Sequence, residues 1–102
     1  MGPLTLEGKK GNLKPTENPW GWNFYGHLMC VDQPVGVGFS YNNGTDKVNN
    51  TRDASNHFIT FLSNFFKNNP SLGLKGNPLY LAGESYAGHY IPAFAEKIAS
   101  NT

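Results

Sequence analysis

Residues 79–92 read LYLAGESYAGHYIP: a short apolar run, a glycine, and a serine two places after that glycine at the mouth of a second, amphipathic stretch. Leu79–Ala82 has the length and composition of a strand buried on both faces, stopped by Gly83. Ser85 then falls where a strand turns sharply into a helix, the context of a nucleophile elbow. The spacing has a steric reason. A serine on such a turn holds unusual backbone angles that push Oγ clear of the sheet. The residues two before and two after it must be small because their chains pass closely. Gly83 and Ala87 meet that demand, although the strict G-x-S-x-G pattern has Gly where Ala87 stands. The backbone N–H of Tyr86 would point, with the helix N-terminus, at an oxygen that becomes negative during attack. A serine in an ordinary Gly-rich turn can show much the same six residues, so this segment alone leaves both readings open.

Working outward, Ile91, Phe94, Ala95, Ile98 and Ala99 follow the i, i+3, i+4, i+7, i+8 rule of a helix, with Pro92 read as a first-turn residue. Upstream, Leu28–Val31 is a second short apolar run, and Cys30 within it reads as a small core hydrophobe. Between the runs, Ala54, Phe58, Phe61, Leu62, Phe65 and Phe66 recur at helical spacing, with Asn50 and Asp53 suited to the start and Asn69-Pro70 to the end. Strand, helix, strand predicts a right-handed parallel crossover. The fold class is therefore α/β. In such a pair, the long connection from Gln33 to Asn49 and the residues after Gly83 leave the same sheet edge, where open α/β sheets place ligands. Met1–Phe24 differs: rich in Gly, Pro and Trp, it predicts a hairpin and an irregular loop carrying Trp20 and Trp22.

Composition bounds the function. The 102 residues carry 8 Lys+Arg against 7 Asp+Glu, a formal net charge of +1, which offers no cationic surface for nucleic acid or acidic lipid. No apolar run is long enough to span a bilayer, and the opening MGPLTLEGKKGN lacks the apolar stretch of a secretory signal. One cysteine excludes an internal disulfide framework and a zinc cluster. No metal and no cofactor is expected: Asp32, Asp46 and Asp53 lack calcium-loop spacing, His27 with Cys30 is an incidental pair, and Gly36-Val37-Gly38 opens no helix that would hold a dinucleotide.

Three segments together carry more than any one. GESYAGHYIP (83–92) resembles the active-serine segment of the serine carboxypeptidases, VDQPVGVGFSY (31–41) resembles a second hallmark of that family, and NPWGWN (18–23) a third, in the family's order. The resemblance implies an α/β-hydrolase fold and release of C-terminal residues from peptides with a free C-terminus, through an acyl-enzyme on Ser85. It implies the Tyr86 backbone N–H as an oxyanion donor and Glu84 as a group that helps bind the substrate's terminal carboxylate. Two carboxylates in contact repel unless one holds a proton, so the Glu84 role predicts activity favouring acid pH. It also implies vacuolar, lysosomal or secreted enzymes, a setting in which the sequons at Asn43 and Asn49 become glycosylation candidates.

The departures are equally informative. In the family the triad Asp and His lie well beyond the serine segment, and a Gly-rich oxyanion segment and the rest of the carboxylate clamp lie before the part matched here. Residues 1–102 are thus expected to be one incomplete segment of a catalytic domain, inactive by itself. Of the three histidines, His89 follows Ser85 along the helix and reads as a packed residue, while His57 and His27 are poorly placed as bases. Trp20, Trp22 and Tyr41 are candidates for a side-chain pocket or for lids on a core. Two other functions stay open: a noncatalytic remnant or binding protein, since a serine without a base cannot shed its proton in attack, and an acyltransferase of the same fold. The acyltransferase relatives commonly carry Asp where Glu84 stands.

Overall fold

A computed structural model describes residues 1–44 and 47–100, in two compact units, Met1–Val31 and Asp32–Thr102. In the first unit, strands β1 (Leu4–Lys9) and β2 (Asn12–Glu17) pair antiparallel across a Lys10-Gly11 turn, with Leu4 opposite Glu17, Leu6 opposite Pro15 and Gly8 opposite Leu13. Cross-strand partners share a face. Leu4, Leu6, Leu13 and Pro15 therefore line one side, and Thr5, Thr16, Glu7, Lys14, Lys9 and Asn12 the other. Both faces are exposed. The loop that follows hangs on Asn18. Its side-chain amide donates to the Gly2 carbonyl at 2.8 Å, its Oδ1 accepts from the Trp20 N–H at 3.0 Å, and its own N–H reaches the Pro3 carbonyl at 2.9 Å. A single 3-10 turn, Trp22–Phe24, completes the unit and leaves Trp20 86% exposed.

The second unit is built on two helices, α1 (Thr51–Asn68) and α2 (Ala87–Ala99). Helix α1 begins as its sequence predicts: Asn50 is extended and its side chain accepts from the Asp53 N–H at 2.9 Å. That satisfies one of the orphan donors of the first turn. It ends where the Asn69 amide donates to the Phe65 carbonyl, with Pro70 opening a separate 3-10 turn. Ala54, Phe58 and Leu62, one turn apart, meet Phe94 of α2 to form the buried core, with Val48, Ile59, Leu81, Tyr90 and Ile98 packed around it. The Phe58 and Phe94 rings stack at 4.1 Å and 9°.

Several sequence expectations are corrected here. Pro92 is not in the first turn: α2 opens at Ala87 and carries Pro92 in its interior, so the Gly88 carbonyl loses the partner a sixth-residue N–H would provide. Part of each apolar stripe faces outward. Ala95 and Ala99 of α2 are exposed, as are Phe61 and Phe66 of α1. The runs Leu28–Val31 and Leu79–Ala82 take no strand hydrogen bonds, and the sheet among the described residues is the β1–β2 hairpin. An apolar run supplies the faces of a buried strand, but the ladder needs a partner backbone on each edge. Cys30 is accordingly exposed and not a core residue. Leu81 alone of its run keeps a place against the core.

Candidate active site

The chain reverses sharply at Ser85, whose φ is +58°, the one non-glycine residue with positive φ among the described residues. That region of backbone space costs an L-residue of order 1–3 kcal/mol, and it persists where surrounding contacts enforce it. The enforcing contacts are local. The N–H groups of Ala87, Gly88 and His89 donate to the carbonyls of Glu84, Ser85 and Tyr86 at 3.1, 2.9 and 2.9 Å, a tight run of i→i+3 bonds leading into α2.

The same turn explains the small residues around the serine. A Cβ built on Gly83 would stand 2.5 Å from the Ala87 Cβ and 3.2 Å from Ile91 Cδ1, so a side chain at 83 does not fit this approach. By contrast Gly88, which also follows the serine, has open space where its Cβ would be. The close approach involves the residue two after the serine, and there alanine is small enough.

Because the i→i+3 bonds begin at Ala87, the Tyr86 N–H has no acceptor among the described residues. It stands at the start of a 13-residue helix, where unpaired N–H groups and the helix dipole favour negative charge. Glu84, Ser85 and Tyr86 are all exposed. Ser85 Oγ makes no hydrogen bond to another described residue, and His89, exposed, lays its ring against Tyr86 at 4.9 Å. The packed histidine expected at this position is thus half right: it has an aromatic neighbour but little burial. His57 is exposed on α1 and His27 is exposed in the first unit.

The segment 31–41 folds on Asp32. Its carboxylate accepts from the Phe39 N–H at 2.9 Å, its carbonyl accepts from Ser40 Oγ at 2.7 Å, and the Gly36 N–H bonds the Ser40 carbonyl at 3.1 Å. Gly38, at φ +57°, lies so close to the Asp32 carboxylate that a Cβ there would force that side chain to move. The Gln33–Pro34 peptide is cis. The glycines that loosely suggested a dinucleotide loop are the turn residues of this closed loop, and Asp32 is its lock. The sequence reading assigned Asp32 no such role. Phe39 and Tyr41 are thrust outward, Phe39 with 98% of its surface exposed. Of the two sequons, Asn49 is exposed just before the Asn50 cap. Asn43 is exposed, while Thr45 of its triplet lies outside the described residues.

A strained serine between two close-packed small residues, with an open backbone donor after it at a helix start, has the turn geometry that a nucleophile elbow requires. The profile of the family described as serine carboxypeptidase matches residues 1–102, and the chain belongs to that family. It is 48% identical over 90 residues to carboxypeptidase Y of Saccharomyces cerevisiae, covering 88% of this chain and 17% of that protein. It is 43% identical over 101 residues to carboxypeptidase Y of Candida albicans, covering 99% of this chain and 17% of that one. It is also 45% identical over 98 residues to a vacuolar serine-type carboxypeptidase of Saccharomyces cerevisiae, covering 96% of this chain and 18% of the relative. The chain thus spans about a sixth of the length of the curated relatives it matches.

Proposed function

We propose that residues 1–102 form the nucleophile-bearing segment of the catalytic domain of a serine-type carboxypeptidase, acting on peptides with a free C-terminus. The observation that carries this is the φ of +58° at Ser85, flanked by the Gly83–Ala87 approach and followed by the open Tyr86 N–H, in a member of the serine carboxypeptidase family. Ser85 Oγ attacks the last peptide carbonyl, its proton passing to the family's histidine elsewhere in the longer polypeptide. The carbonyl oxygen gains the negative charge facing Tyr86 N–H. Collapse breaks the C–N bond, the protonated amine leaves as the free C-terminal residue, and water then releases the acyl group from Ser85.

Glu84 stands beside the nucleophile and exposed, open to a substrate's terminal carboxylate. The pair shares a proton, and loss of that proton as pH rises weakens binding, so activity falls on the alkaline side. The likeness to a vacuolar serine-type carboxypeptidase, with Asn43 and Asn49 exposed as candidate acceptors, supports a route through the secretory pathway to the vacuole.

The test uses a full-length enzyme carrying this chain, assayed on an N-blocked dipeptide and on an acyl-glucose donor. Release of the C-terminal amino acid, abolished by Ser85→Ala, is the expected result. Turnover of the ester donor alone would replace the peptidase reading with acyl transfer.

A further inference from the structure

Seven ring contacts run without a break through the second unit. His89 lies on Tyr86 at 4.9 Å and Tyr86 on Tyr90 at 5.0 Å. Tyr90 stacks on Phe94 at 5.8 Å, and Phe94 on Phe58 at 4.1 Å. From Phe58 the series continues along α1 through Phe61 and Phe65 to Phe66. Its middle is the buried core, with Phe94 4% and Phe58 8% exposed, and next to its terminal ring, His89, stands Tyr86, the residue that follows Ser85.

Tyr86 is 56% exposed, and among the described residues its aromatic contacts are with His89 and Tyr90. His89 is itself exposed, whereas Tyr90 is half-buried and packs on the core cluster. Tyr90 is therefore the rung that transmits the rigidity of the core to Tyr86. It does so twice: its ring meets the Tyr86 ring edge-on at 69°, and its N–H donates to the Tyr86 carbonyl at 3.3 Å. The Tyr86 amide belongs to the peptide plane between Ser85 and Tyr86, so holding the Tyr86 ring and carbonyl limits rotation of that plane and with it the direction of the N–H. A positive φ at Ser85 relaxes unless its surroundings hold it.

Resting on the proposed role of Ser85, we propose that Tyr90 is a positioning residue of the reaction: through its ring contact with Tyr86 it holds the Ser85–Tyr86 peptide, and so the oxyanion donor, in line. It touches no substrate. Its ring, not its hydroxyl, carries the effect, which makes Tyr90→Phe the conservative variant and Tyr90→Leu the disruptive one.

The experiment compares Tyr90→Leu, Tyr90→Phe and Ser85→Ala in a full-length enzyme carrying this chain, by kcat and KM on a blocked dipeptide and by the rate and final stoichiometry of fluorophosphonate labelling. Tyr90→Leu is expected to lower kcat about two- to tenfold, the factor corresponding to one aromatic pair acting on the transition state. KM should stay within about twofold and labelling should slow while reaching the wild-type endpoint, since binding and folding are retained. Tyr90→Phe should restore the wild-type values. An unchanged kcat in Tyr90→Leu overturns the inference, and so does a loss of activity that merely tracks a lower labelling endpoint, because that is loss of folded enzyme. Full activity in Ser85→Ala would instead overturn the underlying reading of Ser85, whichever way Tyr90 behaves.

Discussion

At Ser85 the demands of the proposed reaction and of the backbone meet in one residue. Its left-handed φ is tolerable because Gly83 carries no side chain to collide with Ala87 and Ile91. Gly83→Ala places a methyl 2.5 Å from the Ala87 Cβ, which forces the turn open. We expect that substitution to cost about 1–3 kcal/mol of stability by overpacking, read as a lower denaturation midpoint, and to slow fluorophosphonate labelling of Ser85 in the full-length enzyme. Gly88→Ala, with open space at its Cβ, is the contrasting variant and should label at the wild-type rate. Glu84→Gln tests the shared proton at the same scale. A glutamine amide donates to a carboxylate at any pH, so the alkaline fall of kcat/KM should move upward or vanish, and an unchanged alkaline limb would remove Glu84 from carboxylate binding. Much of this was legible, because small residues around a serine are a steric signature. The lock formed by Asp32 was not, since a carboxylate that accepts from a backbone N–H seven residues away leaves no periodic trace.

Among the elements, helix α1 was readable to within a residue from Asn50, Asp53 and Asn69-Pro70, because caps and stops act locally. Asn50→Ala should lower stability by about 1 kcal/mol through loss of the bond to the Asp53 N–H, measured by denaturant titration of the full-length protein. Helix α2 was misread at its start for a physical reason. Proline is best tolerated at the first helical position, yet the Ser85 turn launches the helix five residues earlier, at Ala87, and the rest of the helix carries Pro92 regardless. The elbow thus overrides propensity. The apolar runs at 28–31 and 79–82 were legible as apolar but not as paired, since pairing is a property of neighbours and not of the run itself.

At the scale of the whole molecule, the two units bury little of what their sequence would hide. Leu4, Leu6, Leu13, Leu79, Tyr80 and Phe39 are all exposed, and the chain matches about a sixth of the length of its curated relatives. Catalysis sharpens the same point. Ser85 Oγ has no partner among the described residues, and none of the three histidines is hydrogen-bonded to it. The elbow geometry, however, is complete within residues 83–91, held by its own hydrogen bonds and by the Gly83–Ala87 approach. Nucleophile and base act as a unit: a serine whose proton has nowhere to go retains its position but not its reactivity. We therefore expect the isolated 102-residue chain to remain unlabelled by a fluorophosphonate under conditions that saturate a full-length enzyme carrying it. Labelled peptide recovered from the longer protein should map to Ser85. Stoichiometric labelling of the isolated chain at Ser85 would show that this segment contains its own base, and it would move the search for that base to His57 and His89, the histidines of the unit that holds the serine.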